Sequence, residues 1–437
     1  KKFKNPKQKL TTYARFSDGI NDGLDEYYNT DNGGVDYVNL DRAANGQDGT
    51  SSGYDFKLDY IHPFNEGSKL EVGFASKSTD RGDSQIAEIF NEATNTFVSD
   101  REFSNEFEYN ETVHAAYLQY GGSIGFFGIN AGGRYEIVDM FSELKTTNEK
   151  FENPYSSFYP SLSVTFGAPQ LLQIQTSYSK RVNRPRSRMI NPFSSRQDNK
   201  NIRVGNPFLK PEYTDSYEIN FSRFSRGLSL SLGGYYRHTT DKMQRHKEMR
   251  ADGVSVATYA NIKDQKTQGI DYSIVGSLGK KLRLMFSGSV FWDEINTDLY
   301  GSDYDNTAQG QRLRFTTMWN INPTTEFSFF MFYMPARDIA IGRMDAMSFS
   351  SMSVKKKFMD ERFNLTLNVG DPFNLSGFSF YTSGDNWEQE SSRNWSSRTI
   401  RLTLEYRFGK MEDKSRYSRQ RGRGQGMDME EGAGEIF

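Results

Sequence analysis

The chain of 437 residues carries 54 basic and 56 acidic residues, a net charge of −2, and contains no cysteine. This charge balance argues against a nucleic-acid-binding protein, whose binding surface would be strongly basic. The absence of cysteine excludes disulfide frameworks, cysteine-ligated zinc, iron–sulfur clusters and thiol nucleophiles. Aromatic residues make up 14% of the chain although the mean hydropathy is only −0.74. No apolar run approaches the ~18 residues of a transmembrane helix.

The dominant pattern is alternation of apolar and polar residues with a period of two, which predicts β-strands. Leucine alternates with serine in residues 228–232, and apolar residues occupy every second position in residues 399–408. Helical periodicity is not evident over any segment of ~10 residues or more. An all-β fold of about 16 strands is predicted, with strands near residues 8–16, 52–64, 69–79, 108–120, 124–137, 157–166, 171–182, 213–224, 228–241, 256–277, 281–294, 311–320, 325–335, 346–357, 362–372 and 396–408.

Short and long connections between these strands alternate along the chain. All short turns would therefore lie at one end of the sheet and all long loops at the other, as in a transmembrane antiparallel β-barrel. Half of each strand would then face lipid and half a wet lumen, which explains the low hydropathy. Aromatic residues near strand ends, such as Tyr117, Tyr178 and Trp292, suit the aromatic girdles of such barrels. The long connections are residues 17–51, 80–107, 138–156, 183–212, 242–255, 295–310, 336–345 and 373–395.

The most specific motif lies between Ser177 and Glu218. It reads Ser177-Tyr178-Ser179-Lys180-Arg181-Val182-Asn183-Arg184-Pro185, then Asn191-Pro192-Phe193, then Gly205-Asn206-Pro207-Phe208-Leu209-Lys210-Pro211-Glu212. This motif resembles the C-terminal barrel of TonB-dependent receptors and of related outer-membrane β-barrel proteins. Weaker similarity covers most of the chain from about residue 110 onward.

We expect the motif to form a rigid loop, since its prolines cannot donate ladder hydrogen bonds and Gly205-Asn206 permits a tight turn. The expected role is structural, folding over the barrel mouth and fixing the start of the next strand. The alternative is that its arginines contact a plug domain or an anionic ligand. The candidate site residues are Arg181, Arg184, Pro185, Asn191, Pro192, Phe193, Gly205, Asn206, Pro207, Leu209, Pro211 and Glu212.

The resemblance to TonB-dependent receptors implies structural parts that we do not recognise in this sequence. Complete receptors of this kind have barrels of about 22 strands around a plug, and a segment that engages TonB. Residues 1–408 are therefore expected to be the C-terminal portion of a larger barrel, and a true 16-stranded pore is the alternative. Residues 409–437 are charged and rich in glycine, so they are predicted to be a disordered periplasmic tail, or else a docking segment.

The sequence contains no Walker-type or His-Glu-x-x-His motif, so no enzymatic activity, metal site or cofactor is expected. The resemblance implies energised uptake of a scarce nutrient across the outer membrane of a Gram-negative bacterium, with TonB engaged through a missing N-terminal region. Two alternatives stay open: a scaffold barrel bound to a surface lipoprotein or other outer-membrane subunits, and a passive porin-like channel. In each case one face of the closing strand is expected to contact membrane lipid, namely Ile400, Leu402, Leu404, Tyr406 and Phe408.

Overall fold

The computed structural model describes most of the chain between residues 3 and 408. The described residues are 3, 5, 7–29, 41–91, 93–101, 103–168, 170–198, 201–297, 307–339, 342–384, 387–393 and 398–408. The predicted tail, residues 409–437, lies outside them. Within the described ranges, no helix has both the length and the apolar character needed to cross a membrane.

The described residues are almost entirely β-structure, with one helix of four residues, α1 (Ser187–Ile190). The strands in chain order are β1 (Lys9–Asn29), β2 (Asp41–Pro63), β3 (Ser68–Asn91), β4 (Thr96–Ser99), β5 (Asn105–Ile124), β6 (Phe127–Leu144), β7 (Glu149–Glu152), β8 (Tyr155–Ala168), β9 (Leu172–Asn183), β10 (Ser194–Asp198), β11 (Asn201–Val204), β12 (Glu212–Phe224), β13 (Leu228–Met249), β14 (Ser255–Leu278), β15 (Leu282–Asn296), β16 (Thr307–Asn322), β17 (Thr325–Met334), β18 (Arg337–Ile339), β19 (Gly342–Met344), β20 (Met347–Phe358), β21 (Phe363–Gly370), β22 (Phe378–Gly384), β23 (Trp387–Arg393) and β24 (Thr399–Tyr406).

Sixteen of these strands form one wall, in which each strand pairs antiparallel with the next one along the chain. The wall consists of all strands except β4, β7, β10, β11, β18, β19, β22 and β23. Each of the 16 predicted strands overlaps one wall strand, so the antiparallel sheet of about 16 strands is confirmed. Among the described residues no pairing joins β1 to β24, so this sheet is an open arc of wall.

The two faces of the wall differ as expected for a sheet surrounded by lipid. On β13, Leu228, Leu230 and Leu232 are exposed, while Ser229 and Ser231 between them are half-buried. A soluble protein would bury the leucine face, because removing apolar surface from water is the main favourable contribution to folding. We call the leucine face the outer face and the serine face the inner face.

A row of tyrosines marks the upper edge of the apolar band. Tyr178, Tyr217 and Tyr236 are neighbours on β9, β12 and β13, with ring centroids 5.0 Å and 6.3 Å apart. We call them the tyrosine row. Leu228 lies eight residues below Tyr236, which corresponds to a band about 20 Å tall for a tilted strand. Two residues above the row the outer face becomes charged, with Lys180 and Asp215 paired in register.

Of the aromatic residues expected in the girdle, Tyr117 was predicted wrongly. Trp292, like Tyr178, lies on the outer face and is well exposed. Tyr117 instead shares the inner face with Arg134, opposite which it is paired, and its hydroxyl donates to the Asp59 carboxylate. The period-two pattern does not distinguish the faces at this position, because Tyr suits both a lipid interface and a wet lumen.

Several strands extend far beyond their predicted ends. β1, β2 and β3 form continuous ladders through residues predicted as loops, and β13 pairs with β14 up to Met249. Above the tyrosine row neither face meets lipid, so the apolar alternation that reveals a strand is no longer required. Backbone hydrogen bonds continue the ladder there without that alternation, which is why residues 80–91 and 242–249 were expected to be loops.

The long connections near the chain's end build a second, four-stranded sheet. β18, β19, β22 and β23 pair in that order, and we call them the small sheet. Met344 and Phe378 of the small sheet form a buried apolar cluster with Met334 at the end of β17. The guanidinium carbon of Arg337 on β18 lies 5.4 Å from the ring centroid of Phe291. Phe291 belongs to the inner face of β15, so the small sheet packs against the inside of the wall.

Candidate functional site

The predicted motif loop crosses the inner face of the wall as a strap. We call residues 184–211, which connect β9 to β12, the strap. Asn183 and Glu212 at its two ends are paired in register, so the wall itself is continuous beneath it. From this point the strap extends outward. Its strands β10 and β11 form a hairpin, and β11 pairs parallel with β14. Reaching β14 from β9 requires the strap to cross β13.

Burial of apolar side chains fixes the strap to the wall. Ile190 and Leu209, one from each limb of the strap, are each 1% exposed. Each such buried side chain stabilises the fold by about 1.5–3 kcal/mol relative to exposure. The buried residues that surround them come from β5, β6 and β13 and are Phe107, Tyr109, Met140, Leu144 and Met243.

Two Asn-Pro-Phe turns shape the strap. In each turn the asparagine side chain accepts the backbone N–H of the phenylalanine two residues later: Phe193 N to Asn191 Oδ1 is 3.1 Å, and Phe208 N to Asn206 Oδ1 is 3.0 Å. Asparagine favours this local hydrogen bond, and proline sets the backbone angle between the two partners. The sequence motif therefore encodes the same turn twice.

The two turns lie against each other and against β14. Gly205 N donates to Asn191 O at 2.8 Å, and Asn206 N donates to Met189 O at 2.7 Å. Asn206 Nδ2 also donates to Tyr259 O at 3.0 Å. These bonds satisfy backbone groups that would otherwise be buried without partners, and they tie the strap to the wall.

Arg184 connects the first residue of the strap to a buried carboxylate. Its Nε donates to the Tyr155 hydroxyl at 2.6 Å, and its guanidinium pairs with one oxygen of Glu136. Arg134 Nε lies 2.6 Å from the other oxygen of Glu136. Glu136 is 5% exposed, so the two arginines provide the pairing that a buried charge requires.

Glu212 is a second buried carboxylate, and it binds several partners where the strap rejoins the wall. Its carboxylate, 6% exposed, accepts hydrogen bonds from Asn183 Nδ2 at 2.8 Å and from Met243 N at 2.9 Å. Lys242 Nζ lies 3.4 Å from the same carboxylate. Glu212 thus joins β9, β12 and β13 at one point.

The structure brings together most of the predicted motif residues but not all of them. Pro185, Gly205, Pro207, Leu209, Pro211 and Glu212 are buried, and Asn191, Pro192, Phe193 and Asn206 are half-buried in the two turns. Arg181 lies on β9 below the strap and is exposed. Arg184 and Glu212 make the contacts within the wall described above, whereas Arg181 is exposed on its inner face.

The partners of these residues were not predicted. Glu136, Tyr155 and Asn261 lie on strands remote in sequence from the motif; Asn261 Oδ1 accepts Lys210 N at 2.8 Å. One available signal was the charged pair Arg134 and Glu136, which occupies inner positions of a strand whose outer positions are Tyr135 and Ile137.

Below the strap and the small sheet, the inner face is polar. A cavity of about 330 Å³ is lined there by polar residues that include Asn220, Ser231, Asp271, Ser289 and Arg312, and also by Tyr272, Leu313 and Phe332. Such a surface can hydrogen-bond a polar solute. Within the described part of the chain, no three side chains of His, Asp or Glu converge to hold a metal ion.

The match to known families agrees with this architecture. The model of the outer membrane protein beta-barrel family matches residues 1–406. The chain belongs to that family. Its members lie in the Gram-negative outer membrane, so the outer face of this beta-barrel protein meets lipid. No protein of curated function matches its sequence.

Several solved structures share the fold of this family member. The copper transporter OprC has a TM-score of 0.65 at 12% identity, over 92% of this chain and 62% of that one. The unliganded ferric citrate transporter FecA has a TM-score of 0.62 at 12% identity, over 92% and 59%. The ferric-catecholate import receptor Fiu of E. coli K12 has a TM-score of 0.62 at 13% identity, over 92% and 62%. The chain therefore spans less than two thirds of each of these transport proteins.

Proposed function

We propose that this chain is the C-terminal wall of a TonB-dependent receptor that takes up a scarce nutrient. The observation that carries the proposal is the arrangement at the extracellular end of the wall. The strap and the small sheet both pack on the inner face: Lys247 Nζ of wall strand β13 donates to Gln389 Oε1 of the small sheet, and Asn201 of the strap lines the same cavity as these two residues. A passive pore would need that space to be open. The shared fold with transporters and a receptor supports the same proposal.

The remaining parts of the uptake mechanism would come from outside this chain. Backbone groups inside a membrane must all be paired, and β1 and β24 each have one neighbour among the described strands. Additional strands, to a total of about 22, would satisfy both edges. A plug domain would fill the lumen next to the polar inner face. A segment preceding the plug would engage TonB. The strap would act as a fixed part of the wall, with Arg181 facing the plug or the cargo.

Growth and uptake assays in the source bacterium test this proposal. Deletion of the gene should abolish growth on one limiting nutrient, and deletion of tonB should cause the same defect without an additive effect in the double mutant. Uptake that persists without TonB would show a passive channel. Unchanged uptake of all nutrients, together with loss of a co-purifying lipoprotein or other outer-membrane subunit, would show a scaffold.

A further inference from the structure

One row of paired residues crosses the inner face of β2, β3, β5, β6 and β8. The row consists of Asp59, Gly73, Tyr117, Arg134 and Tyr159, and each residue is paired in register with the next. A Cβ added to Gly73 would lie only 2.3 Å from the ring of Tyr117, so the ring extends across the glycine. Its hydroxyl donates to the Asp59 carboxylate, which holds the ring in this position.

Small residues above and below this row leave a cavity beside the ring. Ala75 lies in the row above, toward the strap, and Gly132 and Ser161 lie in the row below. The cavity measures about 370 Å³, which is within the range of about 300–1,000 Å³ found for small-molecule sites. Besides the two tyrosines of the row, its polar side chains are Lys57, Asp59, Gln119, Arg134 and Ser161.

The cations of this cavity are already paired with carboxylates. Lys57 Nζ lies 3.5 Å from an oxygen of Asp55, and Arg134 Nε lies 2.6 Å from an oxygen of Glu136. An anionic ligand would compete with these carboxylates for the same two cations. A neutral ligand leaves both pairs intact, so the charges of the cavity favour a ligand without net charge.

We propose that the cavity binds a neutral sugar ring, which packs on Tyr117 and is hydrogen-bonded by Asp59, Gln119 and Ser161. A pyranose has an apolar C–H face that suits an aromatic ring, and its hydroxyl groups both donate and accept hydrogen bonds, as the Gln119 amide and the Ser161 hydroxyl do. The ring of Tyr117 is fixed before the ligand arrives, which lowers the entropy cost of binding. The site stands on its own geometry, and only the assignment of the sugar to the transported cargo rests on the proposed function.

Tyr235 has the same relation to a glycine but a different surrounding. A Cβ added to Gly269, with which Tyr235 is paired, would lie 2.5 Å from the Tyr235 hydroxyl oxygen. The guanidinium carbon of Arg237 lies 4.4 Å from the centroid of the Tyr235 ring. A cation therefore stacks on this ring, where Tyr117 instead borders the cavity. Tyr235 thus provides a matched control for Tyr117.

Calorimetric titration of the full-length protein in lipid nanodiscs tests the site. Glycoside detergents are avoided, because their headgroups are sugars. The probes are maltotriose, cellotriose and mannotriose, and saturable binding of at least one is expected, with an affinity independent of salt because the ligand carries no charge. Sorbitol, an open-chain polyol without a ring face, should bind about tenfold more weakly or less. Absence of saturable binding by all three sugars, or equal binding of sorbitol, would overturn the proposal.

Three variants separate binding from folding. Tyr117→Leu keeps an apolar side chain across Gly73 but removes the flat ring, so it should weaken sugar binding about tenfold or more. Gln119→Ala removes an exposed side chain and should weaken binding about threefold. Tyr235→Leu should bind as the wild type does.

The variants are compared after each has shown the heat-resistant migration of the folded barrel on gels. Wild-type affinity in Tyr117→Leu, or equal losses in Tyr117→Leu and Tyr235→Leu, would refute the site. If Tyr117→Leu does not fold, Gln119→Ala decides, because its exposed side chain is not needed for packing; unchanged affinity in that variant would refute the site as well.

The source of the sugar is tested separately. The cavity lies on the inner face, whereas the glycans of surrounding lipopolysaccharide are outside the wall. Addition of lipopolysaccharide to the nanodiscs should leave binding unchanged, and competition by it would overturn the assignment to a soluble sugar. If Tyr117→Leu loses binding but retains full TonB-dependent uptake, the site does not serve the cargo, although the proposed function stands. If the wild type binds the sugar and no TonB-dependent uptake exists, the proposed function fails and the sugar site stands.

Discussion

Gly205 lies directly against the backbone of Asn191. Its N–H donates to Asn191 O at 2.8 Å, and a Cβ added to Gly205 would lie only 2.3 Å from that oxygen. The oxygen cannot retreat without breaking the bond that joins the two turns of the strap. Gly205→Ala should therefore destabilise the protein by about 1–3 kcal/mol, measured by urea unfolding in liposomes.

Gly276→Ala provides the control for this substitution. A Cβ added to Gly276, on wall strand β14, meets no atom within 4 Å. Its free energy of unfolding should stay within about 0.5 kcal/mol of the wild-type value. Equal stability of both variants would show that the contact between Gly205 and Asn191 does not hold the strap.

Arg184→Met should destabilise the strap by removing one of the two cations that pair with Glu136. Arg134 still contacts the other carboxylate oxygen, so the expected loss is about 1–3 kcal/mol. Adding Glu136→Gln to Arg184→Met should recover part of it, because the buried charge is then removed. A double-mutant cycle for unfolding measures this coupling, expected at about 0.5–3 kcal/mol.

Arg181→Met distinguishes a structural arginine from a contact residue. Arg181 is exposed on the inner face, so its substitution should leave unfolding within about 0.5 kcal/mol of wild type. An effect on uptake without an effect on stability would support contact with a plug or cargo. A loss of stability as large as that of Arg184→Met would contradict the separate roles assigned to these two residues.

The wall could be predicted from the sequence because lipid imposes a local rule. Every second residue of a membrane strand must be apolar, as in Leu228, Leu230 and Leu232, and this pattern is readable without knowing the strand's partners. The two Asn-Pro-Phe turns were recognisable as a rigid loop for the same reason, since their hydrogen bonds join residues only two positions apart.

The contacts of the strap follow no such local rule. Arg184 and Glu136 are separated by 48 residues, and nothing in either segment specifies the other. Arg203 and Lys247 come together only because β11 pairs parallel with β14 after crossing the wall. This register joins segments about 50 residues apart in the chain, so it is a property of the folded chain rather than of any sequence pattern.

Leu232→Arg tests which face of the wall meets lipid. Leu232 lies on the outer face, half exposed, four residues below Tyr236 of the tyrosine row. An arginine near the middle of the membrane should cost about 2–4 kcal/mol. Ser231→Arg places the same charge on the inner face beside the polar cavity and should cost much less. Equal shifts in urea unfolding in liposomes would refute the assignment of the faces.

We expect the turn formed by residues 371–376 to enter the outer leaflet. Ser348 and Ser350 share the outer face with Val354, and they contact residues 371–376: Ser348 Oγ donates to Leu375 O, and Asp371 N donates to Ser350 O, both at 2.8 Å. The buried Asp371 carboxylate accepts Leu375 N at 2.9 Å and holds the turn closed. Phe373 and Leu375 are left exposed beside the apolar band.

Phe373→Cys labelled with an environment-sensitive fluorophore tests this insertion. The chain has no cysteine of its own, so the label reports one position only. Its emission in liposomes should shift to the blue and be quenched by lipids that carry a quencher near the headgroup. Asp338→Cys, exposed on the small sheet, should show the emission of a label in water and little quenching. The same emission at both positions would mean that the turn stands clear of the membrane.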